Sequence, residues 1–350
     1  MVGSLKNWCD TKNIQPGGEV DDGRRQFRFG IYPGALLGDE RGILHPVRPD
    51  DPRAVAEALD ELQGAEGEFL VRVYRSFAAT VAAPAQTPDG WEAYLGRPGR
   101  KVDLVLQFRE PTGGRDGWES FVRGQVRELG ARLGSVQICE EPNADLPVLD
   151  GSIPGVREAL VAGVVAAKEE VRALGLSAAV GFNAVPTFGP DAPFWDALGE
   201  LADRRFLDAL DYVGLDFFPD VFRPVPAERL AEATAWVLHG FRHGDLPRAG
   251  IGAGVPIRIT ENGWPTGPGR TEQAQARALE AVVRAVAGQA AALNIEGYTL
   301  FALRDADSRG ASLFHGFGLL RDDHTRKPAF ETYRGLIAEL GPRLRAGSGS

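Results

Sequence analysis

Eight short runs rich in β-branched and aromatic residues, each followed by a longer stretch of helical periodicity, predict an α/β chain folded as a single-domain (β/α)8 barrel. The runs are as short as buried strands. Their starts lie 33 to 44 residues apart, room for a strand, a loop, a helix and a return loop each time. No interior linker divides the chain, and no repeat shows beyond the βα unit itself. A doubly wound open sheet is the alternative that the same alternation allows. At 350 residues the chain is long enough for a barrel with elaborated loops and for a sizeable core.

In order, the strand candidates are "FRFGIY" (27–32), "FLVRVY" (69–74), "VDLVLQF" (102–108), "SVQICE" (135–140), "SAAVGF" (177–182), "DYVGLDF" (211–217), "VPIRIT" (255–260) and "EGYTLFAL" (296–303). Helical patterns lie between them. In 50–64, Asp51 is a candidate N-cap, Pro52 takes the first helical position and Gly64 ends the run. Val156, Leu160, Val164, Val171 and Leu174 share one face of 155–175, and Phe330, Tyr333, Leu336, Ile337 and Leu340 one face of 328–341. The barrel is expected over 27–341, between a flexible tail at 1–26 and a C-terminal tail or linker remnant at 342–350.

Composition is that of a globular protein, with 43% hydrophobic and 25% charged residues. A net charge of −9 and a pI near 5.2 argue against nucleic acid or an anionic membrane as partner and are compatible with a neutral substrate such as a sugar. Two cysteines, Cys9 and Cys139, make neither a disulfide framework nor a metal-knuckle spacing. No apolar stretch is long enough to span a bilayer, and the N-terminus has no apolar signal core. A cytoplasmic location is the expectation, or a secreted one if a leader has been removed. Oligomeric state is left open.

Active sites of such barrels form at the carboxyl ends of the strands. Two glutamates stand there. "SVQICEEPNA" ends the fourth strand with Glu140, Glu141, Pro142 and Asn143, and "VPIRITENGW" ends the seventh with Glu261. Glu141 and Glu261 are 120 residues apart in sequence, yet strands four and seven face each other across a closed barrel. Two carboxylates across a cleft suit glycoside hydrolysis, one as a neutral acid and the other ionised to attack carbon or activate water. Adjacent strand residues point to opposite sides, so only one of Glu140 and Glu141 is expected to face the mouth. Pro142 restrains the residue before it.

"EEPN" (140–143) and "ITENG" (259–263) at these strand ends resemble clan A of the (β/α)8 retaining glycoside hydrolases. "ITENG" is also similar to the nucleophile motif of the β-glucosidase family, and "ENGWPTG" (261–267) to that of the β-1,3-glucanases. The resemblance covers the barrel order and both motifs, with close identity in short patches only. It implies Glu141 as acid/base and Glu261 as nucleophile in a retaining O-glycosidase; no G-x-S-x-G element or phosphate-binding loop appears, so no cofactor is expected, and no metal. Glu140 stands where the clan carries an asparagine for the sugar 2-hydroxyl. Phe217 and Phe218 stand where a tyrosine or histidine often contacts the nucleophile, and Phe301 where a tryptophan platform is common. Arg72 is expected inward, beside the nucleophile, with Arg75 as its competitor. Tyr74, Glu140, Asn143, Asn183, Trp264 and Phe301 are the further candidates for contact with the sugar, and Asn262 has a similar claim. Trp91, Trp118 and Trp195 would either extend the cleft or fill the core.

Other signals point elsewhere or nowhere. His239 and His243, four apart, sit among glycines without an H-E-x-x-H pattern. Asp305 and Asp307 in the last βα loop read as a solvated or substrate-lining turn, with a calcium site as the alternative. "GIGAGVP" (250–256) precedes a strand, the wrong context for a dinucleotide fingerprint. Two other functions stay open: a transglycosylase with the same carboxylate pair, and a non-catalytic carbohydrate-binding barrel. The loops 75–101 and 303–316 could wall a pocket or flank a groove.

Overall fold

Eight parallel strands close on one another in sequence order. The computed structural model describes residues 27–35, 47–64, 67–77, 87, 90–189 and 191–341. The strands are β1 (Arg28–Ile31), β2 (Phe69–Phe77), β3 (Arg100–Phe108), β4 (Leu133–Ile138), β5 (Ala179–Ala184), β6 (Tyr212–Asp216), β7 (Ile257–Asn262) and β8 (Ile295–Leu300). Each predicted strand is present, shifted by a few residues at its ends. β1 pairs with both β2 and β8, so the sheet has no free edge and the open-sheet alternative falls away. The two predicted tails lie outside the described residues. None of the described helices is long and apolar enough to cross a membrane.

The helices begin and end where local chemistry directs. Asp51 accepts from the backbone N–H of Arg53 and Ala54 and starts helix Pro52–Gln63, which ends at Gly64. Helix Pro328–Leu340 covers β1 from outside, and its Tyr333 hydroxyl donates to the Gly30 carbonyl at 2.7 Å. Helix Val156–Ala173 comes close to the barrel through Gly163, where an added Cβ would meet Ile138 at 2.7 Å and Trp118 at 2.9 Å.

The main core lies between barrel and helices, and Trp91, Trp118 and Trp195 belong to it. Trp118 packs against Phe77, Phe108 and Phe121, and its indole N–H donates to the Ala159 carbonyl at 2.8 Å. Trp118→Ala is expected to destabilise the fold by about 3–5 kcal/mol through the cavity it leaves. Urea unfolding of the two proteins checks this.

A smaller cluster closes the carboxyl end, built of Tyr32, Tyr74, Val105, Val221, Phe301 and Phe317, with Phe218, Trp264 and Phe314 against it. One irregularity shapes that end. The β6–β7 register shifts between Leu215 and Asp216, so that Leu215 pairs with Ile259 but Asp216 with Glu261. The extra residue in β7 is Thr260. Such a bulge re-aims side chains at a barrel rim.

Candidate active site

Inward-facing polar residues from β2 to β7 build the site layer by layer. Arg72 on β2 is fully buried at the centre. Its Nη1 donates to Asp103 on β3 at 2.9 Å, and its Nη2 to Gln137 on β4 at 3.0 Å and to Glu140 at 3.4 Å. Nε reaches the Tyr74 hydroxyl at 2.7 Å and Glu261 at 3.2 Å. Arg75 turns outward to Gln125 and to Glu128, 2.8 Å away, so Arg72 is the arginine beside Glu261, as its place on the strand predicts.

Both glutamates of "EEPN" face the mouth, which corrects the expectation that only one would. β4 stops at Ile138, and Cys139 and Glu141 then take left-handed φ of 64° and 44°. Strand alternation therefore does not apply beyond Ile138. The turn brings one carboxylate oxygen from each of Glu140, Glu141, Asp216 and Glu261 within 4.8 Å of one another. Asp150 holds this turn. Its Oδ2 accepts from Glu140 N–H at 2.9 Å and Phe108 N–H at 2.8 Å, with Arg109 at 3.4 Å from Oδ1. Burial pushes the Asp150 carboxyl up to about 7, against the pull of those backbone donors and of Arg109.

Tyr74 donates its hydroxyl to Glu261. The contact that the resemblance expects from the sixth strand thus comes from the second. At the sixth-strand end, Phe218 is part of the aromatic wall, and the Phe217 backbone N–H donates to the Glu261 carbonyl at 3.1 Å.

Asp216, one residue before these phenylalanines, is fully buried and was not among the sequence candidates. The two-residue period from Tyr212 through Gly214 places it inward, which is the signal that could have found it. It accepts from Thr260 Oγ1 and Asn183 Nδ2. Gly214 leaves the space in which those two side chains approach it, since an added Cβ there would strike Thr260 and Asn183. Asn183 also accepts the Glu141 backbone N–H at 2.8 Å.

The remaining candidates are scattered around the rim. The Asn143 amide bonds the Val185 backbone in both directions, at 2.8 and 2.9 Å, and ties the β4 loop to the end of β5. Asn262 donates to the Phe217 carbonyl and accepts from Tyr298. Trp264 is half-buried, donates its indole N–H to Asp220 at 3.1 Å and carries the Arg270 guanidinium over its ring at 3.8 Å. Phe301 is only 6% exposed and lies flat against Tyr32, with ring centroids 5.0 Å apart. It is a packed wall rather than an open platform. In the last βα loop, Asp305 pairs with Lys327 at 2.7 Å, and Asp307 accepts from Arg309 N–H at 2.9 Å. In the loop after β2, residues 78–86 and 88–89 lie outside the described residues.

Four convergent carboxylates are a donor set that a hard divalent cation accepts. Here the Arg72 guanidinium bonds two of them, Glu140 and Glu261. Burial lifts the Glu141 carboxyl well above the usual range, followed by the charges of Asp216 and Glu261, with Arg72 opposing. Glu140 is lifted likewise, by burial and then by Glu261, again against Arg72. Burial also raises the Tyr74 hydroxyl far up, which keeps it a donor. A site so arranged can hold one carboxyl protonated opposite another that is hydrogen-bonded as an acceptor.

A separate hollow of about 520 Å³ opens at the amino ends of the strands. Within its lining Lys168 pairs with Asp211 and Arg258 with Glu296, each at 2.6 Å, and Arg28 pairs with Glu68 outside it at 3.3 Å.

No protein-family model and no curated protein sequence matches this chain. Solved structures do resemble it in fold. A family 39 glycoside hydrolase from the gut symbiont Bacteroides cellulosilyticus is 17% identical, with a TM-score of 0.58 over 92% of this chain and 66% of that one. A β-glucosidase from Thermotoga maritima in complex with deoxynojirimycin is 13% identical, with a TM-score of 0.61 over 91% and 99%. An active-site mutant of a Rhizomucor miehei β-1,3-glucanosyltransferase with laminaritriose is 16% identical, with a TM-score of 0.53 over 86% and 96%. The chain thus spans just under two thirds of the first and nearly all of the other two. At these identities the likeness is one of fold, the barrel of known glycoside hydrolases.

Proposed function

We propose that this protein is a retaining glycoside hydrolase that cleaves an O-glycosidic bond by double displacement. Glu261 attacks the anomeric carbon while Glu141 protonates the departing oxygen. Glu141 then takes a proton from the water that releases the sugar from Glu261.

The observation that carries this reading is the spacing of the pair, whose nearest oxygens lie within 4.8 Å. Inversion needs a water between the carboxylates and a gap of about 6.5–9.5 Å, whereas retention uses about 5–5.5 Å. The donors agree with these roles. Arg72 and Tyr74 both address Glu261 as an acceptor, and burial favours the protonated form of Glu141. The carbohydrate would lie against the half-buried Trp264 indole, on the ring face away from Arg270. Phe301 and Asn143 would shape the wall through their packing and loop contacts. A β-glucosidase and a β-1,3-glucanosyltransferase among the fold neighbours are in keeping with a β-glycoside as substrate.

The test is a panel of activated 2-fluoro glycosides, with any adduct mapped by peptide mass spectrometry. A covalent sugar on Glu261 is expected. Labelling of another carboxylate, or turnover with no adduct across the panel, would count against the assignment. Transfer of the bound sugar to an added acceptor in preference to water would make the enzyme a transglycosylase with the same pair. Glu141→Gln should lose activity on glycosides with poor leaving groups far more than on activated aryl glycosides, because only the former need the proton. Equal losses on both would argue against an acid at this position.

A further inference from the structure

Three of the four convergent carboxylates are each addressed by two side-chain donors. Glu140 receives Gln137 Nε2 and Arg72 Nη2, Glu261 receives Arg72 Nε and the Tyr74 hydroxyl, and Asp216 receives Thr260 Oγ1 and Asn183 Nδ2. Among the described residues Glu141 has no donor on its carboxyl. Its backbone N–H is the group that is held, by Asn183. Hydrogen bonds to a carboxylate favour its ionised form, so protons added to this cluster go first to the member that lacks them.

We infer that Asp216 is the positioning residue of the catalytic pair: through Asn183 it fixes the backbone of Glu141, through Thr260 it fixes the residue before Glu261, and its charge keeps the proton on Glu141. The inference rests on the roles proposed above for Glu141 and Glu261.

The bridge spans three strands. Asn183 on β5 uses both ends of its amide, one on Glu141 N–H and the other on Asp216, while Thr260 is the bulged residue of β7. A shift of the β6 end would therefore be felt by both glutamates. Among the charges that raise Glu141, Asp216 comes before Glu261, and Arg72 is the one cation opposing them. Burial and Glu261 lift Asp216 as well, with Arg72, Thr260 and Asn183 opposing, and the two hydrogen bonds that it accepts favour its ionised form. Glu140 is the fourth carboxyl of the cluster. Asp103 and Tyr74 face it only through Arg72 and Glu261.

Asp216→Asn keeps the shape, lets the new amide bond both Asn183 and Thr260, and removes the charge. Glutamate side chains carrying ¹³C at the carboxyl, followed by NMR across pH, report Glu141 directly, and its resonance is assigned by its disappearance in Glu141→Gln. In Asp216→Asn the Glu141 titration is expected to move down toward the ordinary glutamate range. The basic limb of kcat/KM moves to lower pH with it, since the acid form is then lost sooner. At neutral pH, turnover of glycosides with poor leaving groups should fall on the order of 10²-fold, the lower end of what a placed acid contributes. Thr260→Val is the second variant, should the first not fold. It removes a donor from Asp216, which then competes for the proton, so Glu141 moves in the same direction. A Glu141 titration unchanged by these substitutions overturns the proposal, whatever happens to activity. A downward shift supports it even where no sugar adduct forms on Glu261, a result that would instead count against the proposed function.

Discussion

Glu261→Ala is expected to lose turnover by about 10⁴-fold or more, the scale on which removal of a covalent nucleophile is felt. The substitution also opens a small space beside the anomeric carbon, walled by Tyr74 and Arg72. Azide fits such a space. It would attack from the side that Glu261 occupied and yield a glycosyl azide of inverted configuration. In Glu141→Ala the outcome reverses: azide enters on the acid/base side, after the covalent sugar has formed, and the product keeps the original configuration. The two products, separated by NMR of the anomeric proton, assign the roles independently of any rate. Full turnover in Glu261→Ala would refute the assignment.

Arg72→Met is expected to cost about 3–5 kcal/mol of folding stability, because it leaves buried carboxylates without their counter-ion. The guanidinium is fully buried and paired with Asp103, Glu140 and Glu261. The loss should depend on pH in a defined sense. Glu140, Glu141 and Asp216 are raised by burial above their unfolded values, and Arg72 opposes that rise in each case. A carboxyl raised in the folded state supports stability fully below its unfolded pKa and loses that support as pH climbs through the folded value. Without Arg72 the folded values climb further. The gap in urea midpoint between wild type and variant should therefore widen as pH rises through the folded values of the wild-type carboxyls, which lie well above the ordinary carboxylate range, because below them both proteins lose stability with the same slope. A gap that narrows over that range would mean that Arg72 does not hold these carboxylates in their charged state.

Why some of this site was legible in the chain and some was not has a physical cause. The strands follow from local apolar runs, and the period of two along β2 points Arg72 inward. Proline and glycine punctuation marks where "EEPN" and "ITENG" leave the barrel wall. The same local logic fails one step later. It assigns Glu140 and Glu141 to opposite faces, whereas left-handed backbone at Cys139 and Glu141 turns both inward. It also passes over Asp216, because an acidic residue at a strand end reads locally as one that meets water, whereas this one is buried. Asn143 and Asn183 look like sugar ligands by residue type, yet their amides hold the backbones of Val185 and Glu141.

The sequence by itself determined an eight-stranded α/β barrel with two glutamates at opposite strand ends, since hydrophobic period and turn chemistry act over a few neighbouring residues. Only the tertiary structure decided which side chains serve those glutamates. Tyr74 meets Glu261 across 187 positions of chain, and Asn183 meets Asp216 across 33. Such meetings depend on closure of the sheet and on a register that slips by one residue at Thr260. Neither is written in any short stretch, because both are set by how all eight strands pair at once.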